Sequence, residues 1–336
     1  AIPLLKRIMD RMDLEQLLDK HIPAQGRRPY LSTAKVLCIL VCNLLESREP
    51  MYGVAEWASH YAPDLFGLEV DDLEHLNDDR VGRCLDRVFV SLDSELVMSV
   101  VRQVVQEFDV SLEELHNDST TISFFGSYGD AQQEAPIQNR IAPAIIWGHS
   151  KDHRPDLKQL LYTLTVTEDG GIPIYFQVDS GNLTDDQTHQ MTWQLMRELV
   201  NRPDFVYVAD CKLATTENMN AIARQGGRFI TILPATRKEN TQFRQRLREQ
   251  PQTVSWQQLD QLRNEKNEVV DTLSVCSDGL LSAEGFRLHW ILSTRKKEHD
   301  AAARVSVTDR AVRELVELRQ RILGPRTRVR QRDKVR

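Results

Sequence analysis

The sequence holds five cysteines, Cys38, Cys42, Cys84, Cys211 and Cys276, and no Cys-x-x-Cys pair among them. Scattered single thiols argue against a zinc site and against a disulfide framework, and they fit a reducing cytoplasm. Cys38 and Cys42, one helical turn apart in an apolar stretch, read as core residues. Long apolar runs are missing too. The longest, Val36 to Leu45, is about half a bilayer span and contains Asn43, so no membrane partner is expected. No secretory leader opens the chain, and no internal repeat runs along it. No tyrosine follows Tyr207. What remains is ordinary for a globular protein: 41% hydrophobic and 27% charged residues. With 336 residues the chain exceeds one usual core, and two or three domains are expected. It opens on Ala1 and closes on the basic run Arg326 to Arg336, and both ends read as cut from something longer.

Charge is unevenly spread. The formal net charge is −6, but Gly285 to Arg336 alone carries +9, which leaves −15 for the rest. A basic end on an acidic protein points to a nucleic-acid-facing surface, although a solvated basic helix and tail would look the same.

Residues 1–110 read as an all-α N-terminal domain. Leu4, Leu5, Ile8, Met12, Leu14, Leu17 and Leu18 recur at helical spacing. Ser32-Thr33 caps a helix running to Leu45, Val54, Trp57 and Ala58 belong to a third, and Asp79 to Phe89 form a fourth. Ser94 caps a fifth, Glu95 to Phe108. Pro23, Pro29, Pro50 and Pro63 fall between these segments.

The pattern changes near residue 112, and residues 111–234 read as an α/β core. Leu160 to Val166 and Ile172 to Val178 are strands joined by the turn Glu168-Asp169-Gly170-Gly171. Thr188 to Val200 is an amphipathic helix. Asp185-Asp186 before it fit turn chemistry and a cap. Phe205 to Ala209 and Phe229 to Leu233 are wholly apolar, as strands buried on both faces would be. Between them Thr215 opens a helix that Gly226-Gly227 ends. With a strand near Leu115 in front, this order is that of an RNase H-like mixed five-stranded sheet with flanking helices. Residues 235–284 read as polar and irregular, with helical hints at Gln242 to Arg248. Phe286 to Ser293 reads as a strand, and Asp300 to Leu323 as a charged helix stopped by Gly324-Pro325.

Two acids stand out by position. Asp118 lies within the strand-like run Leu115 to Thr121, and Asp210 directly follows an apolar strand. Reacting groups collect beyond the carboxyl ends of strands in α/β sheets. Two carboxylates on neighbouring central strands would repel unless a proton or a cation lay between them, and Mg²⁺ takes such a pair with waters and a phosphate oxygen. Ser150 to Gln159 adds Lys151, His153, Arg154 and Lys158 ahead of a strand, and Lys212 lies just past Asp210. These read as contacts to a DNA backbone, or as Arg154 and Asp156 pinning a loop.

The runs HNDSTTISFFGSY (116–128), GHSKDHRPDLKQLLYTLTVTEDGGIPIYFQVDSGNLTDDQT (148–188) and FVYVADCKLATTENM (205–219) resemble insertion-sequence transposases of the DDE class, in the IS-four-type branch. Ser150 to Gln159 is the most specific piece, and MYGVAEWA (51–58) extends the likeness loosely. The resemblance implies an RNase H-like fold, two Mg²⁺ or Mn²⁺ ions, and phosphodiester cleavage followed by strand transfer on transposon-end DNA. It implies a possible homodimer around that DNA, in a bacterial or archaeal cytoplasm. Asp118 matches the family's first acid and Asp210 its second. The third, a glutamate in a Tyr/Arg/Glu/Lys signature, has no counterpart here. Glu284, Glu298, Glu314 and Glu317 lack the context, and Glu314 and Glu317 read as partners of Arg313 and Arg321. The third acid is therefore expected beyond Arg336, and residues 235–336 as the insertion that precedes it. The basic side chains Arg326, Arg328 and Arg330 would then join the DNA contacts, and the chain alone would be an incomplete catalyst. Two other readings remain open: a non-integrating nuclease of the same fold, and a protein that grips DNA without cutting. A phosphotransferase of the D-x-D-x-T kind is disfavoured by Thr120 where the second Asp should stand.

Overall fold

The computed structural model describes residues 1–22, 30–91, 94–137, 140–184, 187–277 and 281–323. Asp185, Asp186, Arg326, Arg328 and Arg330 therefore lie outside the described residues. The chain forms two compact units, Ala1–Leu233 and Pro234–Arg336.

The first unit begins with six helices: α1 (Ile2–Arg11), α2 (Leu14–His21), α3 (Thr33–Glu46), α4 (Val54–Ser59), α5 (Asp78–Ser91) and α6 (Ser94–Phe108). The apolar spacing through Leu18 predicts one helix where there are two. Asp13, at φ 49°, is left-handed and breaks the run. Ser32 caps α3 as its position predicts, accepting a hydrogen bond from the Lys35 amide at 3.0 Å. These helices close on Ile2, Ile39, Cys42, Trp57, Phe66 and Leu76. Leu96 of α6 joins this core, whereas Met98 and Val101, further along the same helix, belong to the next one.

That second core lies against a five-stranded sheet. Its strands are β1 (Glu114–Phe124), β4 (Lys158–Thr167), β5 (Pro173–Ser180), β6 (Val206–Ala209) and β7 (Arg228–Thr231), in the order β5-β4-β1-β6-β7. β1 pairs antiparallel with β4 and parallel with β6, and β6 pairs parallel with β7, so the sheet is mixed. The short pair β2 (Ala135–Ile137) and β3 (Arg140–Ala142) forms a separate ribbon. Helices α7 (His189–Val200) and α8 (Thr216–Arg224) carry the two parallel connections. Trp193 and Met196 of α7 and Ile222 of α8 pack on Leu115 and Tyr207, together with α6.

All of that packing falls on one sheet face. Along β1, Leu115, Asn117, Ser119 and Thr121 are buried, while Asp118, Thr120 and Ile122 are exposed. The same alternation corrects two expectations. FVYVA is not buried on both sides: Tyr207 and Ala209 are inside, but Val206 and Val208 are half-buried. FITIL is the sheet edge, with Ile230 and Ile232 more than half exposed. An apolar run marks a strand but does not say how many faces are covered.

The second unit holds α9 (Lys238–Glu249), a three-stranded antiparallel sheet of β8 (Gln257–Arg263), β9 (Val269–Cys276) and β10 (Trp290–Ser293), and the long α10 (Thr294–Leu323). The stretch read as irregular thus contains a helix and two strands, and the strand expected from Phe286 begins only at Trp290. Its small core is Phe243, Val254 and Cys276, with the Trp290 ring stacked on Phe243 at 3.9 Å.

Candidate active site

The parallel register of β1 and β6 runs Leu115 with Tyr207, His116 with Val208, and Asn117 with Ala209. One step further along both chains come Asp118 and Asp210. Strands in a sheet lie ~4.8 Å apart, so the two acids leave neighbouring backbones side by side. β6 ends at Ala209, whereas β1 continues past Asp118 in its pairing with β4. The carboxyl end of the shorter strand thus opens a gap next to the longer one, where topology gathers reacting groups.

The surroundings hold both acids in place. Asp118 has a side chain 82% exposed, and its Oδ1 accepts from the Ser119 amide at 2.8 Å. Lys151 Nζ stands 3.8 Å from that oxygen and donates to Ser119 Oγ at 2.8 Å and to the Ser119 carbonyl. Asp210 is half-buried, and its Oδ1 accepts from the Lys212 amide at 2.9 Å. Thr231 Oγ1 donates to the Asp210 carbonyl at 2.5 Å, which ties the end of β6 to β7. Underneath, Tyr207 is fully buried with its hydroxyl 3.2 Å from His189 Nδ1. Burial, then the Asp210 and Tyr175 charges, push its phenol far above the ordinary range.

The sequence-expected cations divide. Lys151 reaches Asp118, and Lys212 is exposed beside Asp210. His153 sits at a left-handed turn, φ 57°. Arg154 spends its guanidinium on Asp156 at 2.8 and 2.7 Å and lies over the Phe125 ring, so the loop-pinning reading describes it. Lys158 departs from its expected role. It is 6% exposed, its ammonium donates to the Ser127 carbonyl and sits 4.9 Å from the Trp147 ring, and it cannot reach a phosphate from there. By the alternation of β4 it belongs to the open face, and its burial comes instead from the Ser127 carbonyl and the Trp147 ring that close over it. Thr231 was not singled out in the sequence; only the register of β7 against β6 reveals it.

The loop carrying Lys151 is held by close backbone contact. A side chain at Gly148 would strike the Gly181 carbonyl, and one at Gly181 would strike the carbonyls of Gln159 and Ile146. Glycine is required at both positions.

Two hard-oxygen carboxylates are a donor set that suits Mg²⁺ or Mn²⁺. Among the described residues, no group of three or more His, Cys, Asp or Glu comes together to hold a metal, so the pair is a partial site. Glu284 in the second unit is committed elsewhere, bonded to Arg237 at 2.6 and 3.0 Å. Glu317 pairs with Arg321 along α10 at 3.6 Å. No helix among the described residues is long and apolar enough to cross a membrane.

Residues 1–102 match a family described as a domain of unknown function, DUF4277. No curated protein matches the chain. Among solved structures it is similar to a piggyBac transposase synaptic complex with hairpin DNA, at 11% identity and a TM-score of 0.35, over 84% of this chain and 51% of that one. It is also similar to a Mos1 transposase paired-end complex with the left transposon end, at 11% identity and a TM-score of 0.24, over 63% of this chain and 62% of that one. A Mos1 mariner paired-end complex with Mn gives 11% and 0.24, over 68% of each chain. The chain spans about half the length of the piggyBac protein. Likeness at this level carries no argument for function.

Proposed function

We propose that this chain is the larger part of a DDE-class insertion-sequence transposase with an RNase H-like core, cutting and rejoining DNA phosphodiesters at transposon ends. One observation carries the reading: Asp118 and Asp210 stand at matching steps of two parallel central strands, just where the shorter strand ends. Asp118 and Asp210 would hold the divalent ions, Mg²⁺ or Mn²⁺. When bound, such ions stabilise negative charge on a phosphodiester and lower the pKa of attacking water. Lys151, beside Asp118, offsets part of the carboxylate charge while the site is forming. Lys212, exposed, and His153, at a left-handed turn, would fix the DNA backbone, since phosphate contacts set register and orientation. Two copies would meet around the paired ends.

A second reading rests on the two-carboxylate count. With no third described ligand, the chain would grip DNA without cutting it, or belong to a nuclease that never integrates.

The test has two arms. In this chain, Mn²⁺ binding followed by water relaxation should fall sharply in Asp118→Asn and in Asp210→Asn. In the protein expressed from its complete reading frame, each change should abolish Mg²⁺-dependent nicking of transposon-end DNA and leave binding to that DNA largely intact. Cleavage retained by either variant would remove these acids from the site. Metal binding without cleavage by the complete protein would favour the gripping role.

A further inference from the structure

The helix α10 runs for 30 residues, about 45 Å at 1.5 Å per residue. Only its first turn is held firmly. The Asp271 carboxylate accepts from Ser293 Oγ at 2.7 Å, from Thr294 Oγ1 at 3.0 Å and from the Arg295 amide at 3.0 Å. Beyond that, α10 has no buried residue, and Val305, Val312, Leu315 and Leu323 are each half exposed or more. A single helix gains most of its stability from a covered apolar face, so 30 residues with such a stripe bare are incomplete alone.

The stripe has a seven-residue period. Setting Val305 at position a puts Val312 at a as well, with Ala301, Thr308, Leu315 and Ile322 at d. Valine at a and leucine at d is the pattern that favours two parallel strands. Arg319 at the last a position costs stability, and a polar side chain at one such position fixes register and strand number. The flanks add a charge match. Arg304 falls at g and Asp309 at the following e, five residues on, the pair that meets across a parallel dimer and does so twice by symmetry. The next two g and e pairs, Ala311 with Val316 and Leu318 with Leu323, are apolar on both sides. Antiparallel pairing would set g against g and lose the Arg304 to Asp309 match.

We propose that α10 docks on the α10 of a second copy of this chain as a parallel two-stranded coiled coil. The occupant is a second copy because the seam is self-complementary: one face supplies both knobs and holes, and its two flanks carry opposite charges. The inference rests on the second unit alone and survives if the transposase reading fails.

Sedimentation equilibrium of the 336-residue chain over the micromolar range should give a dimer. Leu315→Glu should weaken association more than about a hundredfold, since two buried leucines are lost per dimer. Circular dichroism should confirm that the variant keeps its helix content, as an exposed position allows. Arg304→Asp and Asp309→Arg should each weaken the dimer, and the two together should restore it. In a Cys211→Ser background, Val305→Cys should form a disulfide between copies, because a positions face each other only in the parallel arrangement. A monomer throughout the range would overturn the proposal. So would a dimer indifferent to Leu315→Glu, a double swap no better than the singles, or a dimer that fails to cross-link at position 305.

Discussion

The two faces of the five-stranded sheet are built from the same strands and do opposite work. On the covered face β1 buries Leu115, Asn117, Ser119 and Thr121, and Leu115 packs with the helices above it. On the open face it gives Asp118, Thr120 and Ile122 to solvent, with Tyr162 and Phe176 of the neighbouring strands stacked at 6.3 Å. Packing fixes the register, because a slip of one residue would exchange the faces entirely. The acids are thus positioned by residues that never touch them. Leu115 and Tyr207 hold β1 and β6 in step, and Asp118 and Asp210 follow from that step.

If packing on one face fixes the chemistry on the other, stability should be lost only from the covered side. Leu115→Ala removes a fully buried side chain and should cost about 2–5 kcal/mol, seen as a lower denaturation midpoint. Ile122→Ala, on the same strand but 42% exposed, should cost less than about half of that. Equal losses would mean that the open face is also a core. The next step down is polar. Asn117 Nδ2 donates to Thr165 Oγ1 at 2.9 Å inside the sheet. Asn117→Ala should cost about 1–3 kcal/mol by stranding that buried partner, whereas Thr120→Ala should stay within about 0.5 kcal/mol. Chemical denaturation of the four variants checks both contrasts.

Much of the covered face was legible in the sequence. The hairpin of β4 and β5 announces itself by alternation around an acidic Gly-Gly turn, and Thr215 caps α8 through the Asn218 amide as its position predicts. The mixed five-stranded order follows from the succession of strands and helices. What could not be read is whatever depends on the number of covered faces. Val208 and Ile230 are apolar and half-bare, and nothing local marks them so. Lys158 reads as a free cation until the distant Ser127 carbonyl and Trp147 ring are seen to close over it. β8 escaped because both of its faces are largely wet, and β9 because its mostly half-buried residues show no alternation, so neither carries a period-two signal. Of the candidate site, the two acids and Lys151 could be named from the sequence, whereas Thr231 could not, because it arrives from a separate strand.

The smallest expected effect is one of pH, and it falls on an acid of the covered face. Tyr175, Gln177 and Asp179 form a ladder along β5. Tyr175 Oη donates to Gln177 Oε1 at 2.8 Å, and Gln177 Nε2 donates to Asp179 Oδ1 at 2.8 Å. Asp179 Oδ2 is buried with no partner. Burial raises the Asp179 carboxyl above its ordinary value of 3.8, the Gln177 hydrogen bond partly offsets this, and the Glu134 charge raises it further. In the folded chain the proton is therefore held more tightly than in the unfolded one. Below pH 3.8 both states keep it, and Asp179 imposes no penalty. As pH rises, the unfolded chain releases its proton first, so stability is lost between 3.8 and the raised folded value and stays lost above it. Asp179→Asn keeps an acceptor oxygen for Gln177 and removes the titration. Thermal midpoints of the two proteins should then run parallel at the acid end and diverge as pH climbs, the variant becoming the more stable. A constant gap for Asp179→Asn across the whole range would show that the ladder holds a carboxylate as easily as an amide, and that the covered face excludes water less completely than its packing implies.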